Sequence, residues 1–115
     1  MQKLFDLFDK IGLPYFRQGS MSDEDYKPSF FTFWNVNTDN DSFYDNEEHR
    51  YIEYVQIGFF TNDARKIYSQ LDEGGEFLTK AKQIGFVFDG RARDADADKP
   101  DYYGRVCFIR IINNL

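Results

Sequence analysis

Pro28-Ser29-Phe30-Phe31-Thr32-Phe33-Trp34-Asn35-Val36 decides the fold. Phe, Thr, Trp and Val fit a pleated, half-buried surface, and the proline punctuates the chain before them, so a strand is expected over 29–36. Downstream, residues 51–61 carry a second apolar and aromatic run. Consecutive strands pair more often than not, so an antiparallel pair is the simplest arrangement. The Asn- and Asp-rich residues 35–50 between them read as a connection, either a long hairpin loop or a functional arm.

Upstream, Leu4, Leu7, Phe8 and Ile11 form an i, i+3, i+4, i+7 stripe, which predicts an amphipathic helix over 2–11. Gly12 stands at the C-cap position and Pro14 prevents continuation. Residues 13–16 form a short extended piece, and 19–27 are polar loop. Thr61-Asn62-Asp63 offers N-cap chemistry to a long helix that places Ala64, Ile67, Tyr68 and Leu71 on one face, then Leu78 and Ala81. Gly74-Gly75 interrupts it, at about 1 kcal/mol per glycine, so a packing reason or a break into two helices is expected. Gly85 ends the helix. A short strand at 86–88, a turn at Asp89-Gly90 and a charged loop at 91–101 precede a last strand at 102–112. Val106, Cys107, Phe108, Ile109, Ile111 and Ile112 make that strand apolar on both faces, as a central strand covered on two sides would be.

Helices segregated from an antiparallel sheet define an α+β domain of two layers, with the helices packed on one face. The 115 residues make one domain, 1–115, with a real core. Phe31, Phe33 or Trp34, with Ile109 and Ile111, are the expected core of the sheet. Thirteen Phe and eight Tyr exceed what one small core needs. Either the core is unusually rich in Phe, or some rings serve protein–protein contacts, where aromatics are enriched. Cys107 cannot form an internal disulfide and reads as a small buried hydrophobe.

The formal charge of −6, with basic residues scattered among acids, disfavours direct binding of DNA or RNA, which needs clustered cations. No apolar run approaches the ~20 residues of a membrane span. Asp6 and Asp9 break any secretory core, so a soluble protein made in the cytoplasm is expected.

No motif supports an enzyme. Asp94-Ala95-Asp96-Ala97-Asp98 opens like a calcium loop, but Lys99 and Arg105 stand where that loop needs its glycine and its bidentate glutamate. Asp39-Asn40-Asp41 starts the same pattern and fails at Tyr44 and Arg50. Both read as solvated acidic loops, and no metal or cofactor is expected. The single histidine, His49, has no nucleophile arranged with it, and neither phosphate-binding nor dinucleotide glycine spacing occurs. No catalytic residues are therefore assigned.

Four pieces in order carry a family resemblance. They are Leu13-Pro14-Tyr15-Phe16-Arg17-Gln18-Gly19, then 28–35, then Tyr44-Asp45-Asn46-Glu47-Glu48-His49 leading into the second strand, then the 85–90 hairpin entry with Tyr103-Gly104-Arg105 and the last strand. Together they resemble the tail-completion, or tail-terminator-like, head–tail joining proteins of tailed phages and prophages of Gram-positive bacteria. The resemblance covers most of the chain. It implies a structural virion protein of the neck, assembled in the host cytoplasm as a homo-oligomeric, often hexameric, ring between the tail tube protein and the head–tail connector. It carries over no catalytic residue. Gly74-Gly75 departs from the smooth helix that family would have.

Subunit-interface candidates are Tyr44, Asp45 and His49 from the 35–50 connection, and Arg91, Arg93 and Asp94 from the 91–101 loop. Arg91 and Arg93 face several acids across the turn and could set register against a neighbour's carboxylates, or simply keep the loop soluble. The rival reading from another class is an acidic phage-borne inhibitor that mimics DNA. Another neck protein, such as a head-completion or connector subunit, is the nearer alternative.

Overall fold

The computed structural model of the chain describes residues 1–40 and 50–114. Helix α1 (Gln2–Ile11) buries Leu4, Leu7 and Phe8, the stripe read from the sequence, and the Gly12 amide closes it by donating to the Phe8 carbonyl at 2.9 Å. Six strands follow in one sheet: β1 (Tyr15–Arg17), β2 (Ser29–Asn40), β3 (Arg50–Thr61), β4 (Val87–Phe88), β5 (Arg93–Ala95) and β6 (Tyr103–Asn114), with helix α2 (Glu76–Gln83) between β3 and β4. The sheet order is β1-β2-β3-β6-β4, and β5 pairs with another stretch of β6. All pairings are antiparallel except β1 with β2. The domain is α+β, with both helices against one face of the sheet.

Strand alternation sorts the side chains. Phe31 lies opposite Phe59, Ile57 opposite Cys107, and Val55 opposite Ile109, so these residues share one face with Ile111. Phe8 of α1 and Phe77 of α2 press onto that face. The Phe8 ring lies 4.7 Å from Phe31 and 5.7 Å from Phe77, within the range of favourable ring pairs. Leu71, Ala81 and Phe86 complete the core. Phe31, Ile109 and Ile111 are buried as expected, and Phe33 packs against the core from its margin. Trp34 is a correction: it is 43% exposed on the opposite face.

The polar end of this face is closed by Glu53, which is buried. Its carboxylate accepts from the α-amino group of Met1 at 2.6 Å, from Asn113 Nδ2 at 2.9 Å and from Asn35 Nδ2 at 3.4 Å. A buried carboxylate needs such donors to offset its desolvation.

Four boundaries differ from the sequence reading. β2 runs on to Asn40 and β3 starts at Arg50, so much of the expected 35–50 connection is hydrogen-bonded ladder with a bulge at Val36. Backbone pairing with β3 compensates for the poor strand propensity of Asn and Asp. The expected extended piece at 13–16 is a parallel edge strand, β1, displaced to Tyr15–Arg17. The 91–101 loop contains β5.

The fourth difference is the long helix after Asp63, which does not form. Asp63 does cap a turn, accepting from the Arg65 amide at 3.0 Å, but only the 3-10 turn Ala64–Lys66 follows. Gly74 sits at φ +81°, a conformation that side-chain-bearing residues rarely adopt. Gly75 then serves as the N-cap of α2, and a Cβ there would strike the Gln70 carbonyl. Gly75 has no side chain to cap with, so Gln70 Oε1 accepts from the Phe77 amide at 3.2 Å instead. The expected break into two helices at Gly74-Gly75 does not occur, because among the described residues no α-helix runs up to it from Asp63 and the glycine pair instead leads into α2. The stripe of Ala64, Ile67 and Tyr68 is not used as a core face, and Tyr68 is 60% exposed.

Arg105 holds this irregular segment to the sheet. Its Nε donates to Asp72 Oδ2 at 3.0 Å and its Nη2 to Asp72 Oδ1. Nη1 reaches Asp94 Oδ1 at 2.8 Å, Nη2 also reaches the Ala92 carbonyl at 3.1 Å, and the guanidinium lies 5.0 Å from the Tyr68 ring centre. The fork thus joins β6, β5 and the 67–75 segment. Hydrogen bonding to Asp72, the largest influence, raises the Arg105 pKa against the opposing effect of burial.

Candidate interaction surface on the open face of the sheet

Among the described residues no helix lies over the second face of the sheet. It carries Phe30, Thr32 and Trp34 from β2, Gln56, Gly58 and Phe60 from β3, and Val106, Phe108 and Arg110 from β6. At one end, residues 18–26 and 95–102 fold over it. Tyr26 meets Phe30 and Tyr102 edge-on, each at 5.5 Å, and the Tyr102 hydroxyl donates to the Lys27 carbonyl at 2.8 Å. Phe30 is buried there and stacks on Phe60 at 5.5 Å. Farther along this face Trp34 is 43% and Phe108 39% exposed, with Gln56 between them, and Val36 at the bulge is 53% exposed. Large apolar side chains standing out of a sheet are candidates for burial against a partner. Apolar character on both faces of β6, read from the sequence, therefore has two causes. Cys107, Ile109 and Ile111 face the core, while Val106 and Phe108 face outward.

Where cover and bare sheet meet lies a pocket of about 280 Å³. Phe30, Thr32, Gly58, Phe60 and Val106 make its floor, and Tyr26, Asp96 and Asp98 stand around it. Burial, and then the charge of Asp98, raise the Tyr26 phenol above its ordinary pKa.

The interface candidates named from the sequence divide. Tyr44, Asp45 and His49 lie outside the described residues. Arg91 and Arg93 are exposed, and neither has an ion-pair partner among the described residues. Asp94 is engaged within the chain by Arg105 at 2.8 Å, which ties it to the fold. Sequence reasoning passed over Trp34 and Phe108 as surface residues, because an aromatic on a strand gives no sign of which face a helix will cover. Among the described residues no group of three or more His, Cys, Asp or Glu side chains is placed to hold a metal ion. No described helix is long and apolar enough to cross a membrane.

Cys107 is buried, and burial pushes its thiol from an ordinary value near 9.0 up to about 12. A thiol held that high has about a thousandfold less thiolate near neutrality, and the thiolate is the reactive form. The native protein is expected to resist a maleimide at pH 7 and to label fully once denatured in urea. Rapid stoichiometric labelling of the folded protein would contradict the position of Cys107 in the core.

No model of a known protein family matches the chain, and no curated protein does.

Proposed function

We propose that the protein is a structural subunit of a tailed bacteriophage virion, a tail-completion or tail-terminator-like protein that closes a homo-oligomeric ring at the head–tail interface. One observation carries the reading: on the sheet face away from the described helices, Trp34 and Phe108 flank Gln56 and are 43% and 39% exposed. That is a surface for a protein partner, and interface energy concentrates in such aromatic anchors. The α+β architecture, and the four sequence pieces that resemble the tail-completion family, give the partner its context. Tail tube and connector proteins are the further neighbours, in the neck of the virion. The function is assembly, with no cofactor and no catalytic step.

The carboxylates weigh against a DNA mimic. Such a protein presents free, regularly spaced acids, whereas four of the acids here are engaged within the chain: Asp72 and Asp94 with Arg105, Asp63 with Arg65 and Asp89 with Arg110.

Light scattering coupled to gel filtration tests the assembly. A multimer is expected at micromolar concentration, and the Trp34→Ser/Phe108→Ser pair should dissociate it while the far-ultraviolet circular dichroism stays unchanged. Losing anchors worth about 2 kcal/mol or more corresponds to at least about a thirtyfold weaker association. A wild-type monomer at every concentration, together with normal infectious particles from a phage lacking the gene, would remove the reading.

A further inference from the structure

We infer that the pocket between the 18–26 and 95–98 segments is a receptor for a single arginine side chain, presented by a basic segment of a different protein that docks on the open face. The inference deepens the assembly reading and rests on it only for the setting in which that partner is met.

Size sets the first limit. At about 280 Å³ the pocket lies at the bottom of the range of small-molecule sites, roughly 300–1,000 Å³, so it suits one long side chain and not a nucleotide-sized ligand.

The floor sets the chemistry. The Phe60 ring lies flat across two glycines: a Cβ on Gly58 would come within 2.8 Å of its Cε2, and one on Gly104 within 2.5 Å of its Cε1. These two positions must lack side chains for the ring to lie down. The result is an aromatic plate stacked with Phe30 at an interplanar angle of 23°, and Tyr26 meets Phe30 edge-on. Flat π-faces attract cations, and a planar guanidinium stacks on them better than an ammonium does.

Charge sets the sign. Asp96 and Asp98 line the pocket and are both exposed. The chain already uses this rim for a cation of its own: Lys99 Nζ lies 4.8 Å from the centre of the Tyr26 ring and 3.2 Å from Asp23. That lysine is held on the Tyr26–Asp23 side, and Lys99 does not line the pocket itself. The aspartates of the pocket lining, not the charge of the chain as a whole, make a basic side chain the electrostatic match for this pocket.

The test is a nuclear magnetic resonance titration of the 15N-labelled full chain with the peptide acetyl-Gly-Arg-Gly-amide, set against the same peptide carrying citrulline. Saturable shifts are expected at the amides of Gly58, Phe60, Ala97 and Asp98, with the citrulline peptide bound at least about tenfold more weakly. Asp96→Asn/Asp98→Asn should abolish the shifts and leave the rest of the spectrum in place. If that pair perturbs the fold, Thr32→Leu, which fills the pocket floor, provides the second arm with the same expected loss. Shifts that are unsaturable, spread over the surface, or equal for arginine and citrulline would overturn the inference. So would concentration-dependent shifts at these amides without peptide, since they would give the pocket to a second copy. The titration reads out on a monomer as well as on a ring. A monomeric protein that binds the arginine peptide therefore refutes the ring and keeps the pocket, and a ring blind to it does the reverse.

Discussion

Truncating Phe31 to alanine is expected to destabilise the domain by about 3–5 kcal/mol, while truncating Trp34, three positions along the same strand, should cost less than about 1 kcal/mol. Phe31 is fully buried and stands at the meeting point of both helices and the sheet, 4.7 Å from Phe8, 5.4 Å from Phe59 and 5.5 Å from Phe77. Its loss leaves a cavity that α1 and α2 must span together, walled by rings that are themselves held in place. Trp34 touches mainly Arg17, whose guanidinium lies 5.7 Å from its ring, and water. Urea denaturation followed by circular dichroism measures both. Equal costs at the two positions would mean that both faces of the sheet are covered, and the open face would cease to be a binding surface. A large loss of assembly in Trp34→Ala, with stability retained, is the opposite and expected result.

The second large effect is at Arg105. Replacing it with alanine is expected to cost about 3–5 kcal/mol, because one partner of a mostly buried pair leaves the other charge uncompensated. The Arg105 side chain is 12% exposed and that of Asp72 20%, so solvent screens the pair only in part, and the lower end of that range is expected. Arg105→Lys should recover less than half of the loss, since an ammonium cannot bridge Asp72, Asp94 and the Ala92 carbonyl in one plane. The damage should be local first. Hydrogen exchange is expected to accelerate in 67–75 and at β5 before it does in β2 and β3, because the fork is what ties those pieces to β6. Asp94→Asn removes the more exposed arm, from a carboxylate 83% exposed, and should cost under about 1 kcal/mol. If Arg105→Ala unfolded no more easily than Asp94→Asn, the fork would contribute nothing to the fold and another contact would have to hold the 67–75 segment.

Much of the domain is legible along the chain because the relevant forces are local. The stripe of Leu4, Leu7, Phe8 and Ile11 fixes α1, since the period of a helix is a property of consecutive residues. Aromatic and β-branched runs mark the three long strands, and the succession of the first two makes their antiparallel pairing the natural one. The burial of Cys107 also follows from residue type and neighbours.

What only the tertiary structure decided depends on atoms far apart in sequence. Alternation tells that Phe31 and Trp34 point to opposite faces, but not which face receives the helices, and that choice makes one residue core and the other surface. The polar stretch from Asn35 to Asn40 enters β2 because β3 supplies the ladder, which no propensity of Asn or Asp can announce. Tyr68 and Leu71 lie at helical spacing, yet the chain breaks there because Arg105, over thirty residues away, captures Asp72 and Gln70 caps α2 from outside. The pocket is the clearest case. Its plate needs Phe60 from β3 laid over Gly58 and across to Gly104 of β6, and its rim needs Tyr26 and Asp98 brought together from two loops. Each of these residues is ordinary in the sequence. Cross-strand register and loop packing alone give them a common surface, because a side chain's chemistry is set by its neighbours in space.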